Sequence, residues 1–532
     1  MPMMERPAVF PLENGGKYWE HEFKNFFLKV YVPATKIDGQ VHNYGFRAPM
    51  ITVFEEERRS IEDAVGFAEE SGLAKIASSV DSTVLFVYPT CEGGWDKADE
   101  ELYKELIAET KMNPDYSEGI VSITDFFTGE FKGYFIRGAV FRADIFSFGK
   151  SADYCARNLI RTIEGEYLWG PGEITPAMIS MERLSIEPRI ERKDIPLMSV
   201  GNSDEINAAL SSSEEVLIKE KTEYEKDFKS FVRRFKMWCG KIEYEPDFEK
   251  LGMIEEAGFT VVNTSKDNKG RYKDQPTHKA GYFAYYNKGL LEKGKVPLLL
   301  GFHGGGDSSM YLTFVAGWWE VCHKYDFLFV SVENHQDIRA TEVMEMIEDL
   351  KKKYPIDEKR IYATGFSMGS GKTWDMYQEY PEVFAGLAPC SALFPIKDNP
   401  FGLSLGDPRL NTDIAVPLFY SGGEESPLPE LPCQAATCID RMQYAASVNK
   451  LKTRFDIDFD KKDSWSDKYY GIPGDRVEKI PDESRGSVLT VNYYLSEDGV
   501  CRTAFASVSG QGHECREHSC ENAWKFISKF SR

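Results

Sequence analysis

Short apolar runs recur along the second half of the chain, and each ends at glycines or polar residues. Runs of this length, bounded by such turn residues, predict buried β-strands. Stretches with helical spacing of apolar residues lie between them and predict amphipathic helices. The predicted strands are Val296–Phe302, Arg360–Phe366, Ala415–Ser421 and Cys501–Val508, and the predicted helices are Glu342–Tyr354, Ser370–Tyr380 and Asn522–Phe530.

The strand that begins at Arg360 runs directly into the pattern Gly-x-Ser-x-Gly, which is centred on Ser367. A serine at so sharp a strand-to-helix turn has a strained backbone, and the flanking glycines avoid collisions with neighbouring elements. The pattern therefore predicts a nucleophile elbow that lifts the Ser367 hydroxyl clear of the sheet. Because the pattern is short, its interpretation depends on the motifs around it.

A glycine-rich segment, His303 to Asp307, follows the predicted strand Val296–Phe302. Glycines let backbone N–H groups approach a developing oxyanion, and a second donor is normally the N–H of the residue after the nucleophile. The sequence thus predicts an oxyanion hole made by Gly304, Gly305 and Met368. An ordinary tight turn is the alternative interpretation of the glycines.

A candidate base follows the predicted strand Cys501–Val508, where the chain reaches His513. In the order serine, carboxylate, histidine, the imidazole takes the Ser367 proton and later returns it to the leaving group. His518 is the rival base, but it lies further from the strand end. A candidate acid follows the predicted strand Ala415–Ser421.

From about Phe259 to Arg532 the chain resembles an α/β-hydrolase esterase of the polyhydroxyalkanoate depolymerase and feruloyl esterase type. The resemblance rests on the motifs above, on the helix and strand that precede the nucleophile, and on the closing helix. It implies a mostly parallel sheet flanked by helices, and ester hydrolysis through an acyl-enzyme without a cofactor. The chain departs from the family by having glutamate at the acid position, where aspartate is usual. It also has a long segment, 426–491, which is interpreted as a lid or a surface insertion.

Comparing the chain with itself indicates a duplication. Similar residues recur in the same order in both halves, and chance similarity between strands is the alternative. We therefore predict an α/β fold with two tandem α/β-hydrolase-like domains, a degenerate one at 1–245 and a catalytic one at 246–532. The matched residues are Gly72 with Gly317, Asp81 with Asp326, Ser147 with Ser367, Pro196 with Pro417, Gly201 with Gly422 and Asp204 with Glu425.

The first copy is predicted to be inactive. Five charged residues, 55–59, stand where the second copy has its glycine loop, and no histidine occurs between His42 and His278 to serve Ser147. The match of Asp204 also favours Glu425 as the triad acid, with Glu424 as the second choice. The charge-rich stretch 211–237 has helical spacing and is predicted to be the closing helix of this copy.

Net charge and hydropathy narrow the function classes. The net charge of −21 disfavours nucleic acid and anionic membranes as partners. No apolar run is long enough to span a membrane, and the N-terminus lacks the order of a signal peptide, which predicts a cytoplasmic protein. The sequence leaves open whether the chain forms a homo-oligomer.

Two motifs suggest other chemistry, and both are disfavoured. Gly371 to Thr373 looks like the end of a phosphate-binding loop, but Phe366 stands where that loop needs glycine. The ten cysteines are too sparse for a disulfide scaffold, and the pairs Cys433/Cys438 and Cys515/Cys520 lack zinc-finger spacing. We therefore expect neither metal nor cofactor.

These patterns together predict a serine hydrolase that cleaves carboxylic esters through an acyl-enzyme at Ser367. A serine peptidase or amidase would share the same triad and oxyanion chemistry. A non-catalytic binding protein built on hydrolase-like domains is the alternative from another class. The acyl and alcohol parts of the substrate do not follow from the fold or the triad.

Overall fold

The computed structural model describes residues 8–36, 49–80, 82–110, 139–167, 170–231, 234–236, 242–244, 246–268, 270, 272–305, 308–333, 338–399 and 402–532. Asp81, one of the matched residues, lies outside them. The chain divides into two compact units, Met1–Asp247 and Phe248–Arg532. Each unit is an α/β fold with a mixed, mostly parallel sheet.

The first unit contains a nine-stranded sheet in the order β1-β2-β3-β5-β4-β6-β9-β10-β11. Its pairs are antiparallel from β1 to β5 and parallel from there to β11. The strands are β1 Phe10–Pro11, β2 Lys17–Glu22, β3 Phe26–Val32, β4 Pro49–Phe54, β5 Val84–Pro89, β6 Ala139–Phe148, β7 Glu164–Tyr167, β8 Gly170–Glu173, β9 Met178–Glu182, β10 Leu197–Val200, β11 Val216–Lys219, β12 Arg234–Lys236 and β13 Ile242–Tyr244; the α-helices are α1 Ile61–Glu70, α2 Leu73–Ser79, α3 Glu100–Thr110, α4 Lys150–Asn158, α5 Asp204–Leu210 and α6 Tyr224–Phe231.

The second unit contains a ten-stranded sheet in the order β14-β15-β17-β16-β18-β19-β20-β23-β22-β21. The pairs from β17 to β23 are parallel, and those at both edges are antiparallel. The strands are β14 Met253–Asn263, β15 Thr277–Asn287, β16 Val296–Phe302, β17 Leu328–Val332, β18 Ile356–Phe366, β19 Gly386–Cys390, β20 Leu418–Gly423, β21 Arg476–Asp482, β22 Ser487–Tyr494 and β23 Thr503–Val508; the α-helices are α7 Phe248–Leu251, α8 Trp318–Tyr325, α9 Ala340–Lys353, α10 Met368–Glu379, α11 Ala436–Val448 and α12 Glu517–Ile527.

The predicted elements of the second unit are confirmed. The four predicted strands correspond to β16, β18, β20 and β23, and the three predicted helices to α9, α10 and α12. Apolar side chains of β16, β18, β20, β23, α9 and α10 belong to one buried cluster, and those of α12 are buried as well. Because the central strands are parallel, the loops that follow β16, β18, β20 and β23 all leave from the same edge of the sheet.

One predicted segment of the first unit differs from the structure. The stretch 211–237 is not one closing helix, because Val216–Lys219 forms strand β11 and pairs in parallel with β10. The apolar residues of β11 favour a strand at the edge of the sheet, and this preference outweighs the helical spacing of the charged residues around them. The segment 426–491, predicted to be a lid or a surface insertion, contains the strand β21 and the helix α11, whose Cys438 and Met442 are fully buried.

Candidate active site

Ser367 occupies the turn between β18 and α10, as the sequence predicts. Its backbone has φ 53° and ψ −115°, a conformation that non-glycine residues rarely adopt. The Ser367 N–H donates to the carbonyl of Cys390 at the end of β19, 3.0 Å away, which ties the turn to the next strand. The strained backbone is therefore held in place by the sheet, as residues at active sites often are.

The flanking glycines are required by close backbone contacts. A Cβ atom on Gly365 would lie 2.1 Å from the carbonyl oxygen of Gly369, and one on Gly369 would lie 1.9 Å from that of Phe302. Both distances are far below van der Waals contact, and the opposing atoms belong to the backbone. The Gly-x-Ser-x-Gly pattern is thus explained by packing of the elbow against its own helix and against β16.

His513 is the ring that meets the serine. Its Nε2 lies 2.9 Å from Ser367 Oγ, and the loop that carries it follows β23. The ring also packs against Phe366, with 4.9 Å between ring centroids. The His513 side chain is 20% exposed, so it is held by its neighbours but remains reachable from solvent.

The carboxylate that meets His513 is Glu430. Its Oε1 lies 2.5 Å from His513 Nδ1, and its side chain is fully buried. Because a carboxylate can only accept, Nδ1 carries the proton and Nε2 is left to accept from the Ser367 hydroxyl. This is the tautomer that a general base needs.

The carboxylate at His513 belongs to neither of the predicted acids, Glu425 and Glu424, so that prediction is wrong. Glu425 is exposed, and its N–H donates to the carbonyl of Gln511. The Glu424 carboxylate accepts from Ser507 Oγ at 2.8 Å and from the Tyr469 hydroxyl. The strand β20 ends at Gly423, so both residues lie at the expected edge, but the chain turns back and buries Glu430 instead.

No spacing rule would have selected Glu430 from the sequence. Three glutamates lie between positions 424 and 430, and all could reach the edge of the sheet. The alignment of Asp204 with Glu425 matches two exposed residues, and it therefore carries no information about the triad. Burial in the folded loop is what distinguishes Glu430.

The glycine segment after β16 lies beside the elbow. A Cβ atom on Gly304 would be 3.6 Å from Ser367 Cβ and 2.9 Å from the Phe366 ring. Gly305 follows at a turn, and Met368 is the first residue of α10. Of the predicted oxyanion residues in this segment, Gly304 is thus close to the serine, whereas Gly306 and Asp307 lie outside the described residues.

His303 supports this segment and is not a second base. The ring is buried, and its Nδ1 lies 2.8 Å from the carbonyl oxygen of Gly304. Burial lowers the pKa of His303 to about 4, so the ring is neutral at pH 7. By donating from Nδ1, the neutral ring fixes the orientation of the peptide group between Gly304 and Gly305.

The remaining candidates lie elsewhere. His518 lies on α12, and its carbonyl accepts from Asn522. Lys372 is buried and donates to the carbonyl of Ile338, which leaves it unsuited to bind a phosphate. The Cys515 and Cys520 thiols lie 3.4 Å apart in the interior.

The described residues contain neither a metal-binding cluster nor a helix that could span a membrane. Within them, no group of three or more histidine, cysteine, aspartate or glutamate side chains is placed to hold a metal ion. The helices of that same part of the chain include none long and apolar enough to cross a membrane.

The first unit has a strand-to-helix turn with the same backbone, but it holds Gly149. Gly149 has φ 51° and ψ −116°, within two degrees of Ser367, and stands between β6 and α4. Ser147, which the sequence comparison matched to Ser367, lies two residues earlier inside β6, where its hydroxyl donates to the carbonyl of Ser180. The match of Ser147 is therefore displaced by two residues.

Sequence comparison finds esterases among known proteins. The chain is 31% identical over 245 residues to the bifunctional acetylxylan esterase/xylanase XynS20E of Neocallimastix patriciarum, covering 44% of this chain and 31% of that protein. It is 42% identical over 50 residues to poly(3-hydroxyalkanoate) depolymerase C of Paucimonas lemoignei, covering 9% and 12% of the two chains. The chain therefore spans less than a third of the length of either relative. No protein-family model matches it.

Two esterases are among the similar solved structures. A ferulic acid esterase matches 52% of this chain and 98% of its own, with a TM-score of 0.32 and 13% identity. An acetyl xylan esterase from Aspergillus awamori matches 51% and 98%, with a TM-score of 0.33 and 12% identity. The sequence relatives confirm the resemblance to esterases that the motifs indicated.

Proposed function

We propose that the protein is an α/β-hydrolase that cleaves carboxylic esters with Ser367 as its nucleophile. The observation that carries the proposal is the continuous contact from Ser367 Oγ through the His513 ring to the buried carboxylate of Glu430. The identity to an acetylxylan esterase supports the ester as substrate. This arrangement is the serine triad in its α/β-hydrolase chain order.

In the proposed reaction, Ser367 Oγ attacks the ester carbonyl carbon while His513 Nε2 takes the hydroxyl proton. The resulting imidazolium is stabilised by Glu430, and it protonates the alcohol oxygen as the C–O bond breaks. Water then attacks the acyl-enzyme, giving its proton to His513, and the acid product leaves as Ser367 recovers its hydrogen. The three residues end in the state in which they began.

The charge that develops on the carbonyl oxygen needs donors on the opposite side from His513. We propose that the N–H of Met368 and the N–H groups of Gly304 and Gly305 supply them. Gly304 lies next to Ser367, and the buried His303 ring holds the Gly304 peptide. One such donor is worth roughly 3 kcal/mol of transition-state stabilisation.

The sequence relatives suggest the class of ester. One acts on acetylxylan and another on a poly(3-hydroxyalkanoate) according to their names. We propose short acyl esters of a polysaccharide as the substrate of this chain. Acetylated xylan, hydroxyalkanoate oligomers, p-nitrophenyl esters of increasing chain length and a matched aryl amide would separate an esterase from a peptidase or amidase.

The test of the nucleophile uses a fluorophosphonate probe on the full chain. Wild-type protein should be labelled at Ser367, and Ser367→Ala should lose labelling and at least about 10⁴-fold in ester turnover. Ser484→Ala, which removes an exposed serine on the β21–β22 hairpin, is the control and should keep both. Wild-type turnover by Ser367→Ala would refute the proposal, as would the absence of turnover on every ester in the panel.

We propose further that the first unit is a non-catalytic α/β-hydrolase-like copy of the second. The strand order is similar in the two sheets. In each, antiparallel strands at one edge are followed by two strands in reversed chain order, β5-β4 or β17-β16, and then by further parallel strands. Positive φ angles recur at corresponding positions of the two units. Gly149 corresponds to Ser367, and Arg183, just after β9, corresponds to Ser391, just after β19. Positive φ is rare at residues other than glycine, such as Ser367, Arg183 and Ser391, so its recurrence supports common ancestry over chance.

The space of a nucleophile in this first unit is occupied. A Cβ atom on Gly149 would lie 1.9 Å from Glu56 Oε1, and Glu56 is paired with Arg183 at 2.6 Å. The probe should therefore never label this unit, and Gly149→Ser should not create a labelled serine. Ser147→Ala should leave ester turnover unchanged. Labelling of Ser147 in the wild type would contradict an inactive first unit.

A further inference from the structure

The buried carboxylate of Glu430 is held by more than His513. Its Oε1 accepts from Ser426 Oγ at 2.6 Å as well as from the His513 ring at 2.5 Å. Its Oε2 accepts from the Gly423 N–H at 2.6 Å. Both carboxylate oxygens are therefore fixed, and the one that faces the ring is shared between His513 and Ser426.

The Ser426 hydroxyl has one orientation that suits its neighbours. Its oxygen accepts from the N–H of Leu428 at 3.2 Å, which leaves the hydroxyl hydrogen to point at Glu430. The hydroxyl thus links the tip of the loop to the carboxylate that the same loop carries. Without it, Glu430 would keep the Gly423 bond on the far oxygen but lose one of the two donors on the near one.

The surroundings of Glu430 make this donor important. Within the described residues, no lysine or arginine nitrogen lies within 4.0 Å of the carboxylate, and its ion-pair partner is His513. A buried charge that lacks a permanent cation depends on hydrogen bonds from neutral groups. Ser426 and Gly423 supply those bonds while His513 is neutral.

We propose that Ser426 is a positioning residue for the triad, which holds the Glu430 carboxylate in line with His513 throughout turnover. The proposal rests on the proposed function, since it assigns Ser426 a task only if Glu430 serves His513. Ser426 itself does not contact the reacting atoms. Its effect should therefore appear in kcat and in the pH dependence, with little change in KM.

Loss of the Ser426 donor has a definite sign. The bond stabilises the ionised form of Glu430 and draws electron density from the oxygen that faces His513. Removing it leaves His513 as the one donor to that oxygen, so the negative charge that faces the ring is less shared. A ring that carries a second proton cannot act as the base, so the acidic limb of the pH profile should move to higher pH.

Other titratable groups near Glu430 do not contribute to the acidic limb of the pH profile. Tyr420 on β20, Cys438 on α11 and Tyr470 face the carboxylate. Burial raises the pKa of Tyr420 and Tyr470 well above the ordinary value and that of Cys438 to about 12. All three therefore stay neutral between about pH 5 and 8, where histidine ordinarily titrates.

The experiment compares Ser426→Ala, Ser426→Thr and Glu430→Gln by steady-state kinetics from pH 5 to 9, with thermal melting of each variant. Ser484→Ala is the matched control, because Ser484 also donates to a carboxylate, Asp482, at 2.6 Å but on the exposed hairpin. Ser426→Ala should lose about 10-fold in kcat, keep KM within about twofold, and shift the acidic limb upward. Ser426→Thr, which retains a hydroxyl, should restore most of the turnover.

The outcomes separate the inference from the proposed function. Normal kcat and an unshifted limb in Ser426→Ala, together with a large loss in Glu430→Gln, would overturn the inference alone. A lowered melting temperature with an unmoved limb would also overturn it, because Ser426 would then be merely structural. A Glu430→Gln variant with full activity would overturn the acid assignment and the inference together.

Discussion

Replacing Glu430 by glutamine tests the acid with the least change in shape. Glutamine keeps the size of the buried side chain and can still accept from the Gly423 N–H, but it removes the negative charge that faces His513. Its amide can also turn its NH₂ towards Nδ1, which would place the ring proton on Nε2 and block acceptance from Ser367. Both effects oppose proton transfer.

The size of the loss follows from the geometry. With 2.5 Å between Glu430 Oε1 and His513 Nδ1, the imidazolium and carboxylate charge centres are separated by about 4 Å. At an effective dielectric constant of about 20, that pair is worth about 4 kcal/mol. Loss of that stabilisation in the transition state corresponds to about a 10³-fold decrease in kcat.

The assay is hydrolysis of p-nitrophenyl acetate, with the melting temperature measured on the same samples. Glu425→Gln is the control, because its side chain is exposed and should leave turnover within about twofold of wild type. Turnover of Glu430→Gln within tenfold of wild type, with a hundredfold loss in Glu425→Gln or Glu424→Gln, would refute the reasoning from burial and distance.

Two further predictions concern the elbow and its neighbouring loop. Gly369→Ala should destabilise the protein by several kcal/mol and abolish turnover, since its Cβ would lie 1.9 Å from the Phe302 carbonyl oxygen. Urea unfolding measures the loss of stability. The control is Gly499→Ala, which has open space around it but a positive φ and should cost only about 1 kcal/mol. His303 contributes stability that is present above its unfolded pKa of 6.5 and is lost as pH falls towards its folded pKa of about 4. As pH falls over that range, the free energy of unfolding of the wild type should therefore decrease by up to about 3 kcal/mol more than that of His303→Gln, as measured by urea unfolding at each pH. An equal decrease in both proteins would contradict a buried neutral ring.

The sequence by itself determined the features that depend on local geometry. Gly365 is required by contacts within its own turn and helix, and Gly369 by its contact with Phe302 at the end of the neighbouring strand β16, so the pattern identifies the elbow directly. The position of His513 follows from the end of a strand, since the loops after parallel strands meet at one edge. Strand and helix periodicity sufficed for the elements around these two residues.

The triad acid was decided by tertiary structure. Glu424, Glu425 and Glu430 all follow β20, and only the path of the loop buries one of them against His513. Burial and orientation arise from contacts of this loop with the end of β20 and with His513, which lies 83 residues later in the chain. A chain-order rule can state that an acid follows this strand, but it cannot state which one.

Tertiary structure also decided the register of the first unit. Residue similarity matched Ser147 to Ser367, whereas the backbone dihedrals match Gly149. The strain of an elbow is a property of the turn between a packed strand and helix, and a glycine adopts it without leaving a serine to find. Likewise, Val216–Lys219 became a strand because an open edge of the sheet was available to it, which no property of that segment alone expresses.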